Sequence, residues 1–165
     1  MNHFTHCLKV RYPEVDQMGV VYHGNYIPWL EIGRSTTITN FGLTYRELEE
    51  SGVLVVVTNL NVDYKIPARY DDTILVVTKL SNLEGIRISF HYEVYRLSTE
   101  IQQGSKLMSD EELQKTLKDS TLLITAETEH VCMNRDNKII RLKRENPEVF
   151  SKFQAIHKTS QGYTE

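Results

Sequence analysis

The chain has 165 residues, 40% hydrophobic and 25% charged, with a formal net charge of −3. At this length a single domain spanning 1–165 buries about 70% of the surface its unfolded form exposes, so it can build its own core. The mild acidity argues against a nucleic-acid or anionic-membrane binder, and the longest aliphatic run, Val53 to Val57, is far too short to cross a bilayer.

The first element is a strand over Phe4 to Tyr12, which alternates moderately and stops before Pro13. After an irregular stretch, Ile27, Leu30, Ile38 and Phe41 recur near helical spacing. Asn25 can cap that helix, Pro28 suits its first turn and Gly42 sits where it stops. Thr44 and Glu47 fit a capping box for a short second helix that ends at Gly52. "VLVVVTNLNVDYKI" reads as one long strand, or as two halves of a bent one, closed by Pro67. "TILVVTKL" and "IRISFHYEVYR" are two further strands around a turn at "NLEG".

Ser98 to Asp119 is long for a connection in a compact domain. Within it Ser109 and Glu112 fit a second capping box before a short surface helix, with the rest as loop. "STLLITAETEHVCM" is a strand, "NRDN" a turn and "KIIRL" its returning partner. Asn146 and Pro147 then open a C-terminal helix. Turn-length connections between successive strands favour an antiparallel α+β sheet with the long helix covering one face.

The irregular stretch is "DQMGVVYHGNY", Asp16 to Tyr26. An acid in a loop is followed within about ten residues by a helix start, whose free N–H groups and partial positive charge can stabilise an oxyanion. A carboxylate facing that spot can attack a carbonyl or deprotonate a water. The same residues also suit a plain turn, and residue chemistry alone leaves both readings open. Cys7 and Cys132 lie far apart, form no metal spacing and indicate a reducing compartment. The histidines show no ligand spacing either, so no metal and no cofactor are expected. The first residues carry no apolar core of signal-peptide length, which points to the cytoplasm. Trp29, Ile32 and Phe41 read as core or subunit contacts, and Glu31 and Arg34 as an i,i+3 pair.

The pattern Y-x-x-x-D-x-x-G-V-V-Y-H-x-N-Y-x-x-x-x-E-x-x-R, Tyr12 to Arg34, resembles the signature of hotdog-fold acyl-CoA thioesterases. The similarity is to the 4-hydroxybenzoyl-CoA thioesterase family in its YbgC-like subgroup. It includes V-D-Y-x-x-P-A-R-Y-D-D, Val62 to Asp72. The resemblance implies an antiparallel sheet wrapped around one long central helix, here with a short extra helix and a C-terminal one. It implies Asp16 as nucleophile or general base, His23 beside it, Tyr12 in support, and the backbone N–H groups of His23 and Gly24 as oxyanion donors. It also implies an acyl-CoA substrate and a homodimer or homotetramer with a shared site. Tyr26, Thr58, Asn59, Asn61, Lys65, Arg87 and Ser89 are the expected substrate contacts. The cluster "RLKR", Arg141 to Arg144, is a further basic site.

An acyl-carrier-protein thioesterase and a non-catalytic acyl-CoA-binding protein of the same fold are the competing readings. The first would need a basic docking patch, for which "RLKR" with Lys138 is the candidate. The retained Asp16 and His23 argue against the second. The stretch 98–119 exceeds the tight hairpin of the family, and three roles are open to it: extending a sheet edge, covering a neighbouring subunit, or lying loose.

Overall fold

The computed structural model describes residues 1–162; the last three residues of the expected domain, 163–165, lie outside it. In chain order the elements are β1 (Asn2–Lys9), α1 (Tyr26–Thr39), α2 (Tyr45–Glu50), β2 (Leu54–Tyr64), β3 (Thr73–Glu84), β4 (Arg87–Arg96), β5 (Gly104–Ser109), α3 (Asp110–Thr116), β6 (Thr121–Met133), α4 (Leu142–Glu145) and α5 (Pro147–Gln161). The six strands form one antiparallel sheet in the order β2-β6-β4-β3-β1-β5.

α1 lies along one face of that sheet. Its buried residues are Tyr26, Trp29, Leu30, Gly33, Arg34, Thr37 and Ile38, a continuous stripe at i,i+3/i+4 spacing. They meet the alternating inner positions of β3 (Ile74, Val76, Leu80) and β4 (Ile88, Phe90, Tyr92, Val94). A Cβ at Gly33 would lie 2.6 Å from Thr78 Oγ1 and 2.9 Å from Val76 Cγ1, so this glycine sets how closely helix and sheet approach. Arg34 enters the stripe because its Nε donates to the Tyr45 hydroxyl at 2.8 Å and its Nη2 to the Glu31 carboxylate. Ile27, expected on the apolar face, is instead exposed beside the stripe, as is Ile32.

Several local expectations hold. The Thr44–Glu47 capping box closes α2, Ser109 accepts from the Glu112 N–H at the start of α3, and Asn146 caps α5 with Pro147 behind it. β2 is one strand with an irregularity between Val57 and Asn59. Others are corrected. β1 ends at Lys9, because Tyr12–Glu14 form a 3-10 turn that redirects the chain. "KIIRL" is not a strand: Ile139 makes one bridge to Met133, and Leu142 already begins α4. The stretch 98–119 contributes β5, which pairs with β1 and extends the sheet edge. α3 then folds over the other face, where Leu113 and Met108 pack with Cys7, Leu75, Val77 and Leu97.

Candidate active site

Asp16 opens a tight loop closed by a bridge between Val15 and Val21. The Asp16 N–H donates to the Val20 carbonyl at 2.9 Å, and Gly19 N–H returns to the Asp16 carbonyl at 3.0 Å. One carboxylate oxygen of Asp16 accepts from the Met18 N–H at 2.8 Å. Gly19 has φ +73, the left-handed turn that its lack of a Cβ allows. The turn chemistry of Asp16 is therefore real, and it holds the carboxylate at a half-buried position.

Next comes a 3-10 turn, His23–Asn25, that leads straight into α1. The Asn25 N–H donates to the Tyr22 carbonyl at 2.8 Å. The N–H groups of His23 and Gly24, first in the turn, have no acceptor among the described residues. Asn25, expected from sequence to cap α1, does not do so through its side chain. Its Nδ2 donates instead to the Glu14 carbonyl at 2.8 Å, and Tyr22 N–H joins the same oxygen at 3.0 Å.

Glu14 is thus the knot of this region. Its carboxylate is buried and accepts from Arg11 N–H at 2.7 Å, Arg11 Nη2 at 3.0 Å and Trp29 Nε1 at 3.0 Å. Burial pushes the Glu14 pKa up, but the Arg11 side chain and backbone and the Trp29 N–H outweigh it and hold the carboxyl below its ordinary value.

The downstream motif wraps the helix start. Tyr64 donates its hydroxyl to the His23 carbonyl at 2.8 Å. Ala68 N–H donates to the Tyr26 hydroxyl, and Val21 N–H to the Ala68 carbonyl, at 2.8 and 2.9 Å. Arg69 Nη1 reaches the Gly19 carbonyl at 3.5 Å. A cavity of about 190 Å³ lies between the two segments, lined by Val21, His23, Tyr26, Tyr64, Lys65, Ile66 and Pro67. Asp16 stands on the neighbouring turn rather than in this lining.

Of the other expected site residues, Tyr26 and Lys65 belong to this lining and the rest lie outside it. Tyr12 is exposed, with its ring edge-on to Tyr70 at 5.8 Å. Thr58, Asn59 and Asn61 lie exposed on β2, and Thr58 donates to the Glu129 carbonyl at 3.2 Å. Lys65 pairs with Asp63 and Arg87 with Glu129, at 2.5 and 2.7 Å. The Ser89 carbonyl accepts from Ser81 Oγ at 3.1 Å. In "RLKR", Arg141, Lys143 and Arg144 line a groove of about 680 Å³ with Leu83, Glu84, Gly85 and Phe150. These three cations have no hydrogen-bond or ion-pair partner through their side chains among the described residues. The groove lies at the far end of β3 from the Asp16 loop, roughly 36 Å along a strand of this length. No cluster of His, Cys, Asp or Glu among the described residues could hold a metal ion.

Comparison with known proteins adds four findings. The Thioesterase superfamily model matches residues 18–101. The chain is 30% identical over 152 residues to the putative acyl-CoA thioesterase YneP of Bacillus subtilis, covering 92% of this chain and 95% of that one. It is 33% identical over 96 residues to the acyl-CoA thioesterase YbgC of Haemophilus influenzae, covering 58% and 71%. Among solved structures, the DHNA-CoA thioesterase of Staphylococcus aureus superposes with a TM-score of 0.74 at 31% identity, covering 98% and 97% of the two chains.

Proposed function

The chain belongs to the thioesterase superfamily and is a thioester hydrolase of the hotdog fold, and we propose that it cleaves acyl-CoA at the Asp16 loop. The observation that carries this reading is the pairing of two features on one short segment: a carboxylate fixed by its own turn, and two N–H groups without acceptors at the head of α1. The thioester carbonyl sits with its oxygen toward the His23 and Gly24 N–H groups. Asp16 attacks the carbonyl carbon or takes a proton from the attacking water. Either route puts negative charge on that oxygen, where prealigned donors stabilise it. The C–S bond then breaks and CoA leaves as thiolate; the acid's new oxygen comes from water on the general-base route and from Asp16 on the nucleophile route, where water then attacks the Asp16 carbonyl of the acyl-enzyme and restores the carboxylate. A thiolate is a good leaving group and needs no strong general acid. Single-turnover hydrolysis in ¹⁸O-labelled water separates the two routes, since a covalent acyl-Asp16 leaves label in the enzyme carboxylate.

The active unit is a dimer. β2 is a free edge of the sheet, and it carries exposed Val56, Val57, Leu60 and Tyr64, with Ile66 just beyond. An apolar open edge is a pairing surface, and a twofold partner covers it with its own copy. Antiparallel pairing of two β2 strands sets the Tyr64 end of one chain beside the Leu54 end of the other. Leu54 pairs with Met133, next to the cationic groove. Each Asp16 loop then faces its partner's groove end, and CoA phosphates lie toward Arg141, Lys143 and Arg144.

The groove also favours one second reading. Three unneutralised cations around Leu83 and Phe150 suit an acidic carrier protein, and the chain is 30% identical over 90 residues, 54% of this chain and 47% of that one, to the acyl-acyl carrier protein thioesterase ATL3 of Arabidopsis thaliana. Thiol release across a panel of bicyclic aromatic, phenyl, short and long aliphatic acyl-CoAs, with acylated carrier protein alongside, decides between them. Turnover of a CoA ester supports the first reading. Turnover of the carrier thioester alone moves the substrate to the second.

A further inference from the structure

Among the described residues, Tyr64 is the one side chain that hydrogen-bonds the oxyanion peptides from outside their own segment. It closes β2 opposite Ile124, and the next two N–H groups, of Lys65 and Ile66, both donate to the Leu123 carbonyl at 2.9 and 3.2 Å. Its ring stands edge-on to Tyr26 at 5.6 Å and to His23 at 6.3 Å. Backbone and ring are therefore both fixed, and the hydroxyl meets the His23 carbonyl at 2.8 Å.

We propose that Tyr64 is a positioning residue that holds the His23–Gly24 peptide from behind and aims the Gly24 N–H at the thioester oxygen. This rests on the Asp16-loop reading above. In a trans peptide the C=O and N–H of one unit point in opposite directions, so a bond at the His23 oxygen fixes the direction of the Gly24 N–H. It also polarises the unit, because hydrogen bonds in series strengthen one another. The other donor is treated alike: the carbonyl of the Tyr22–His23 peptide accepts from Asn25 N–H, so the His23 N–H is also backed by a filled acceptor. One donor is braced by the local turn and the other by β2. Gly24 leaves no room to replace this brace with a side chain, since a Cβ there would lie 2.7 Å from the Tyr22 ring. The Tyr64 hydroxyl stays a donor: burial, then the neighbouring Tyr22, push its pKa above the ordinary value.

The arrangement couples catalysis to the dimer edge. Tyr64 is the last residue of the strand proposed to pair with a second copy, so assembly fixes the residue that aims the donor.

The test is Tyr64→Phe, which keeps the ring contacts and removes one hydroxyl. The net worth of one hydrogen bond sets the expected loss at about tenfold in kcat, with KM for the acyl-CoA within about twofold. The melting temperature stays within a few degrees, and the Gly24 amide proton moves upfield in a ¹⁵N-correlated spectrum. A kcat within twofold of wild type, a loss confined to KM, or an unmoved Gly24 amide overturns the assignment. Asp16→Asn in the same assay keeps the two claims apart. Loss in Asp16→Asn with full turnover in Tyr64→Phe sinks the Tyr64 role alone, whereas full turnover in Asp16→Asn sinks the site on which both rest.

Discussion

Replacing Glu14 by Ala unties the segment that carries Asp16 and the helix start. The Trp29 Nε1–H is buried and its acceptor is the Glu14 carboxylate. Losing that acceptor costs about 1–3 kcal/mol for the stranded donor. The pair with Arg11, whose side chain is 74% exposed, contributes under about 1 kcal/mol. The Arg11 N–H loses a charged acceptor, but its residue is exposed and can turn to water. The sum is about 3 kcal/mol, which in a chain of this length lowers the melting temperature by about 6–12 °C. Glu14→Gln keeps an oxygen for Trp29 but turns an NH2 toward Arg11 N–H, so its loss is smaller. Differential scanning calorimetry near neutral pH reads the order wild type, Gln, Ala. The pH sign follows from a folded pKa held below the unfolded one: the Glu14 stabilisation is present above about pH 4.5 and is lost as pH falls through the folded value. A melting temperature within 1 °C of wild type for Glu14→Ala, or a Gln variant less stable than the Ala variant, refutes this account of the knot.

Gly33→Ala gains helix propensity but forces α1 off Thr78 and Val76, and the net loss is about 1–2 kcal/mol by urea denaturation; a stabilised variant contradicts the close approach. His130 is fully buried with its Nε2 unpartnered among the described residues, and burial, then the Arg34 charge, bring its pKa down to about 4. The unfolded chain takes up that proton near pH 6.5 and the folded chain only near 4. Stability therefore falls as pH drops through this window, by on the order of 3 kcal/mol. His130→Gln flattens that slope in denaturation curves between pH 6.5 and 4.5, and an unchanged slope argues against the assignment. On the β2 edge, Val57→Asp with Leu60→Asp yields a monomer by light scattering at micromolar concentration, and an intact oligomer places the interface elsewhere.

Much of the fold was legible because local chemistry and tertiary structure agree. The caps at Thr44, Ser109 and Asn146 each sit where their side chains bond the expected N–H. The core face of α1 was harder to read, since three of its seven buried positions are Gly33, Arg34 and Thr37. A close approach, a buried arginine paired to an exposed glutamate and a small β-branched residue fill places where periodicity looks for large apolar side chains. The edge strand β5 was read as loop because "GSKLMS" buries only Met108 and takes its order from pairing with β1. "KIIRL" carries strand residues, yet Leu142 and Ile140 are claimed by packing at the end of the core, and α4 starts there.

At the proposed site, Asp16, His23 and Gly24 stood out because a helix start after a glycine-bearing loop has a chemical meaning. Glu14 and Tyr64 were not. Glu14 acts through Trp29, fifteen residues on, and Tyr64 through His23, forty-one residues back. No spacing rule relates such pairs; the sheet brings them together. The exposed Tyr12 and the paired Arg87 show the converse, residues of suitable type whose contacts within one chain lead elsewhere.

The central claim is that the Asp16 carboxylate does the chemistry. Asp16→Asn tests it cleanly, because an amide oxygen still accepts the Met18 N–H and preserves the turn. Initial rates of thiol release from the best acyl-CoA should fall at least about a hundredfold, with an unchanged melting temperature. Near-wild-type turnover by the folded Asn variant would contradict the account and return Asp16 to the role of a turn residue.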